Sequence, residues 1–190
     1  IRNTKFGFII VYVLEMTKVE RPGMVSPSGQ KLAISGIKLS GELLQINFLP
    51  GSGLTAPQLF HRLAEHRVNL SMVTLDAAGG QWGGACCIAV EELPRAQPLL
   101  DEAADSLQIL SSVGLLTVFP HRARYDLLEC ILSAFAQANL PIHCIASSLA
   151  ALTFATDFSR LDEAVSAVTA VADLPPNHAP VRPEFKVRQI

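Results

Sequence analysis

The stretch LPGSGLTAPQLFHRLAEHRVNLSMV, Leu49 to Val73, sets the reading of the whole chain. A strand-like run stops at a Pro and two Gly. Thr55 and Pro57 then open a helix, a hydroxyl at the cap and a Pro where its missing N–H costs nothing. Leu59, Phe60, Leu63 and Ala64 share one helical face. Val68, Leu70 and Met72 return to a period of two, the mark of a strand. The plan recurs in FPHRARYDLLECILSAFAQANLPIHCI, Phe119 to Ile145. At an offset of 72 positions Leu59 meets Ile131, Phe60 meets Leu132, Leu63 meets Phe135 and Ala64 meets Ala136. Val68 then meets Leu140, Leu70 meets Ile142 and Val73 meets Ile145. A chance match of two amphipathic helices explains each helix but not the strand after both. Two α+β units of one plan are the economical inference.

Other elements extend outward from these two segments. KLAISGIKL (Lys31 to Leu39) is a short strand with Gly36 as a candidate bulge, and GELLQINFL alternates around Leu44, Ile46 and Phe48. GACCIAVEE (Gly84 to Glu92) is a strand reached through AAGGQWGG. A helix is expected around Leu99 to Leu107, its start blurred by Pro98, with a short strand at Leu107 to Leu110. The second unit begins at GLLTVF. Its helix spans Tyr125 to Ala138 with Leu128, Ile131, Leu132 and Phe135 inward. PIHCIAS and LAALTFAT are strands joined by a corner near Ser147 to Leu149, and SRLDEAVSAVTAV is the last helix. Ser159 and Asp162 have the spacing of a capping box, with Asp shorter than the preferred Glu.

Composition narrows the function classes. The chain has 190 residues, enough for one large or two small domains. A formal charge of −2 leaves no electrostatic footprint for a polyanion, so nucleic acid is not an expected partner. Hydrophobic residues make up 49% and charged ones 17%, a balance that predicts apolar surface buried between subunits. Cys86, Cys87, Cys130 and Cys144 show no CxxC spacing. Neighbours on a strand point to opposite faces, so Cys86 and Cys87 are not expected to bridge. All four read as reduced, buried thiols, which favours the cytoplasm. The apolar core of FGFIIVYVLEM, Phe8 to Leu14, falls far short of the roughly 20 residues of a membrane span. No small-residue cleavage site follows it, so an edge strand or arm is expected rather than a signal peptide. ERPGMVSPSGQ, Glu20 to Gln30, is the linker behind it.

The repeated βαββαβ plan, the glycines after its first strand, and the entries NLSMV and LPIHCIASS to its second resemble paired ACT domains. The pattern is most similar to the regulatory tail of aspartate kinases. ISGIKL, FLPGSGLTAPQLFHRLAEHRVNLSMVTLD and LLECILSAFAQANLPIHCIASS carry the likeness, over roughly Lys31 to Ala172. The resemblance implies two ferredoxin-like units, the first inserted after the initial strand of the second. The expected organisation is an arm and linker at 1–30, a first unit at 40–111, a second at 31–39 plus 112–173, and a tail at 174–190, possibly a strand. Residues before Lys31 do not resemble a kinase catalytic segment, so kinase activity is not expected.

In ACT domains the glycine turn and a neighbouring strand edge hold a free amino acid. Carried over by position, the turn side comprises Phe48, Gly51, Ser52, Gly53, Thr55 and Ala56. The strand side comprises Ser71, Met72 and Asp76. Orphan amides and the helix dipole favour a carboxylate at such a corner, and Asp76 or strand carbonyls would accept from the ammonium. The alternative is a plain turn that needs glycine for positive φ. The family often has an acidic residue where Ser71 stands, and the second unit has His121, Arg122 and Arg124 in place of glycine. That basic turn is an anion site or a solvated loop, in a unit expected to be mainly structural.

His61 and His66 do not share a helix face well, His143 and Cys144 point to opposite sides of a strand, and no metal spacing occurs. Ser147 and Ser148 lack a nucleophile context. Trp82 in its hairpin loop could cover a ligand or pack on a partner. No Walker loop, Rossmann fingerprint or RNA-stacking strand is present, so no cofactor is expected. An acylphosphatase-like enzyme would need Arg and Asn in a phosphate loop, and LPGSGL has neither. The expectation is a non-catalytic homodimer that senses a small amino acid. Its rival is a structural or protein-partner module without a ligand.

Overall fold

A computed structural model describes residues 31–48, 53–78, 81–119 and 125–182. Strands β1 (Leu32–Ala33), β2 (Gly36–Leu39) and β3 (Leu43–Phe48) lead into helix α1 (Ala56–Glu65). Strands β4 (Leu70–Ala78) and β5 (Gln81–Ala89), helix α2 (Leu93–Glu102) and strand β6 (Leu107–Phe119) follow. Helix α3 (Tyr125–Gln137), strands β7 (Cys144–Ser147) and β8 (Leu152–Asp157), helix α4 (Leu161–Val171) and β9 (Ala172–Asp173) complete the described chain.

The main sheet runs β4-β5-β3-β6-β8-β7, and β2 also pairs with β6. Both β3 and β2 lie antiparallel to β6, β3 along 107–113 and β2 along 116–119. Strand β6 therefore serves twice. Its first half is the fourth strand of a βαββαβ unit begun by β3. Its second half is the first strand of another unit, whose fourth strand is β2. The first unit is thus inserted after the initial strand of the second. A pseudo-twofold axis relates them. The pair Phe48–Leu107 becomes Val118–Ile37, and Ile46–Ile109 becomes Leu116–Leu39, each by a shift of seventy positions (48 to 118, 37 to 107).

Alternation along the strands builds three apolar layers. Leu44, Ile46 and Phe48 pack with Leu59, Leu63, Cys86, Ile88 and Leu99 beneath α1 and α2. Ile37, Leu39, Leu116 and Val118 pack with Ile131, Phe135, Phe154 and Val168 beneath α3 and α4. The opposite faces of both units meet in a middle layer of Leu43, Met72, Cys87, Val113, Leu115 and Ala155. Strands β4 and β7, at the two ends of the sheet path, touch each other there. The sheet bends back at a bulge where the register slips between Leu43 and Gln45 and Ser112 takes φ +57°. Gly114 permits close packing just beyond, since a Cβ would lie 2.6 Å from Leu161 Cδ1.

Several local expectations change. The two short strands expected at Leu107 and at Gly114 are one continuous β6, because both halves pair across the bulge. Gly36 is no bulge; it opens β2 in regular register. Pro98 sits inside α2 rather than before it, on the exposed face. Ala64 is exposed; Ala56, Leu59 and Leu63 form the buried stripe of α1. Ser159 caps nothing. Helix α4 starts after Arg160 with no side-chain cap, and Asp162 pairs with Arg182 instead. Cys86 and Cys87 do face different layers, and all four cysteines are free thiols. Burial pushes the Cys86 and Cys144 thiols up to about 12 and raises Cys87 as well.

One polar group stands in the middle layer. Gln45 is 1% exposed; its Nε2 donates to Asn47 Oδ1 at 2.8 Å, and its Oε1 has no partner. The pseudo-twofold mate of Gln45 is Leu115, an apolar member of the same layer. Gln45→Leu is therefore expected to stabilise the fold by about 1 kcal/mol, the desolvation of an unpaired amide oxygen outweighing one hydrogen bond. A urea midpoint that falls rather than rises would contradict this account of the layer.

Candidate ligand-binding site

The corner between β3 and α1 is where the sequence places the turn side. Phe48 ends β3 fully buried, its ring edge-on to Phe60 at a centroid distance of 5.9 Å. It holds the corner from below and presents no ring to a ligand. Gly51 and Ser52 lie outside the described residues. Gly53 has φ +86°, and among the described residues nothing lies within 4 Å of the place a Cβ would occupy.

Thr55 caps α1 in a reciprocal box. Its hydroxyl accepts from the Gln58 amide at 3.4 Å, while Gln58 Oε1 accepts from the Thr55 amide at 2.9 Å and its hydroxyl at 2.8 Å. Pro57 has no N–H. Of the first-turn donors, the amide of the buried Ala56 makes no hydrogen bond among the described residues. Thr55 is legible as a cap in the sequence; the closing of the box by Gln58, three residues on, is not.

On the strand side Asp76 is half-buried opposite Gly83 of β5, and it makes no ion pair or side-chain hydrogen bond among the described residues. Strands β3 and β4 are both antiparallel to β5, so their C-terminal ends lie at one end of the sheet, with Gly83 and Gly84 between them. Asp76 and the corner thus share a sheet end across bare backbone. Met72 faces the middle layer and is buried. Ser71 is exposed at the β4–β5 register slip, about 16 Å along β4 from Asp76 at some 3.3 Å per residue. Within one protomer the predicted residues are therefore spread: Asp76 shares the corner's end of the sheet but, in step with Met72, lies on the face turned from α1, and Ser71 stands apart. A site using the corner and Ser71 would take Ser71 from another protomer. Trp82 is exposed opposite Ala77, at the start of β5.

The second unit differs. His121, Arg122 and Arg124 lie outside the described residues. His143, the counterpart of Ser71, has its Nε2 2.9 Å from Asp157 Oδ1, a pairing that sequence spacing gave no reason to expect. Arg160 donates to the carbonyls of Asn139 at 2.7 Å and Ala138 at 3.2 Å, past the end of α3. Its hydrogen bond to Glu163 holds that carboxyl below the usual carboxylate range. These contacts join the end of α3 to the start of α4. Among the described residues no His, Cys, Asp and Glu cluster could hold a metal, and no helix is long and apolar enough to cross a membrane.

No family model matches the chain, and no curated protein does. Solved structures do. The regulatory subunit of aspartate kinase from Thermus flavus superposes with a TM-score of 0.61 at 19% identity, over 73% of this chain and 98% of that one. The fold is that of the aspartate kinase regulatory region. The ligand-free regulatory subunit from Thermus thermophilus gives a TM-score of 0.60 at 19% identity, over 74% of this chain and 100% of that one. Aspartate kinase from Synechocystis gives 0.60 at 21% identity, over 78% of this chain but 28% of that enzyme. At these identities the shared property is the fold, and function has to be argued from the site.

Proposed function

We propose that this chain is a non-catalytic regulatory module that binds a free amino acid at the β3–α1 corner, as a homodimer. The supporting observation is the extent of the likeness. The chain matches 98% and 100% of two regulatory subunits but 28% of a whole aspartate kinase, so the correspondence is with the regulatory part. The corner offers amides at Gly53, Leu54 and Ala56 for a carboxylate and an unpaired Asp76 for an ammonium. A ligand touching two protomers would stabilise one arrangement of them over another, which is how such a module transmits a signal. Free thiols suit a reducing compartment, and we place the protein in the cytoplasm.

The reading is tested by thermal unfolding with each of the twenty amino acids. One of them, at a hundred times its Kd, should add about 2.7 kcal/mol, or roughly 5–10 °C in Tm for a chain of this size. Twenty superimposable melting curves would remove the proposal. They would favour a structural or protein-partner module without a ligand, a reading supported by the Thr55–Gln58 box and Pro57, which already use up much of the helix terminus.

A further inference from the structure

Three sulfur-bearing side chains share the middle layer. Met72 on β4 and Cys87 on β5 stand directly opposite each other, and both belong to that layer. Cys144 on β7 packs against it. Met72 and Cys144 are mates in the repeat: Met72 faces Cys87 across its strand pair as Cys144 faces Ala155 across its own. They meet near the pseudo-twofold axis, because β4 and β7 touch. The Cys87 thiol is raised first by burial and then by the charge of Cys144, ahead of that of Cys86 beside it in the chain. The Cys87 and Cys144 sulfurs are thus near neighbours. Two thiols alone fall short of a metal-holding cluster, and no His, Asp or Glu among the described residues completes one. The Met72 thioether makes up a third ligand. Gln45 on β3 is the other cross-strand neighbour of Cys87. It is 1% exposed, and its Oε1 has no partner among the described residues. Its apolar mate, Leu115, shows that the layer packs without an amide.

We propose that Cys87, Cys144 and Met72 bind one soft monovalent metal ion, Cu(I), between the two units, with Gln45 as the polar group beside it. Thiolate and thioether ligands select Cu(I), which accepts a shell of sulfur alone. Zn(II) would need a fourth ligand, and the described residues around these sulfurs supply no His, Asp or Glu for it. Binding exchanges two S–H bonds for two Cu–S bonds and releases both protons to solvent, with no change in oxidation state. Met72 adds a neutral thioether. The group goes from neutral to one negative charge, and Gln45 answers that charge. Turned about its last side-chain bond, its amide puts an N–H where the unpartnered oxygen now lies, as a donor for the Cys87 thiolate. The oxygen would then accept from an Asn47 amide turned in the same way. Cys144 is only partly buried, which gives the ion a way in from the surface. Met72 and Cys87 come from the first unit and Cys144 from the second, so the ion would tie the two together. The proposal is independent of whether the corner binds an amino acid.

The test is an anaerobic titration of the reduced full chain against Cu(I) held by bicinchoninate, a coloured competing chelator. One Cu(I) per chain should leave the chelator, and its X-ray absorption should fit a shell of sulfur without nitrogen or oxygen. Cys87→Ala and Cys144→Ala should each weaken binding about a hundredfold or more, and Gln45→Leu about tenfold to a hundredfold, the usual effect of losing a group that supports a metal ligand. Gln45→Leu separates binding from folding, because the same change should raise the urea midpoint of the metal-free chain. Cys130→Ala, on α3, should leave the affinity unchanged. A chelator that keeps all its copper overturns the proposal. So does full affinity in the chain carrying both Cys87→Ala and Cys144→Ala, or a shell that contains nitrogen. Should either alanine variant fail to fold, the volume-conserving Met72→Leu decides: a loss of about tenfold supports the proposal, and an affinity equal to the parent's overturns it.

Discussion

Gly84→Ala is expected to destabilise the protein by about 3 kcal/mol or more, the combined scale of overpacking and backbone strain. Gly84 pairs with Phe48 on one side and Leu75 on the other. A Cβ there would sit 2.1 Å from the Thr74 carbonyl oxygen and 3.0 Å from its carbon, and the residue holds φ +150°. The obstacle is the backbone of a neighbouring strand, which cannot swing aside as a side chain can. Relief requires β4 to part from β5, next to Asp76. The same substitution should therefore loosen the candidate site. Urea unfolding of Gly84→Ala measures the first effect, and a midpoint within error of the parent's would show that the β4–β5 pairing is looser than described.

Phe154→Ala should cost about 3–5 kcal/mol, the usual price of emptying a buried aromatic site. Phe154 is fully buried in the second unit, its ring 5.4 Å from that of Phe135. Its effect should not stay in that unit, because β6 belongs to both sheets and the middle layer joins them. Trp82, the single tryptophan of the chain, lies on β5 in the first unit and reports on it. The Trp82 fluorescence transition of Phe154→Ala should move to lower urea together with the far-ultraviolet circular dichroism, as one cooperative unit. A Trp82 transition that stays in place would mean the two units unfold separately.

Much of this fold is legible in the sequence because its signals are periodic. The shared register of Leu59, Leu63, Val68 and Leu70 with Ile131, Phe135, Leu140 and Ile142 gives the repeat, and ISGIKL supplies the strand that the second unit lacks. What the sequence hides is cooperative. A bulge at Ser112 looks like a strand end, since two polar residues interrupt the alternation, yet the ladder continues through it. Pro98 looks like a helix boundary, yet it falls on an exposed face that tolerates the lost bond. Ser159 has a cap's spacing, but a 3-10 turn from Phe158 to Arg160 takes its place. The corner residues follow from family likeness alone. That likeness does not reveal that Gln58 engages Thr55, or that Phe48 turns its ring into the core against Phe60. Such facts depend on side-chain partners and distances that spacing alone does not encode.

The central claim is that the corner and Asp76 recognise a free amino acid. Calorimetric titration of the full chain with each of the twenty amino acids tests it most directly. The account predicts saturable heat from one of them, and an affinity about tenfold to a hundredfold weaker in Asp76→Asn, the scale of one hydrogen bond to a charged group. Absence of heat from all twenty, or binding that Asp76→Asn leaves undiminished, would contradict it.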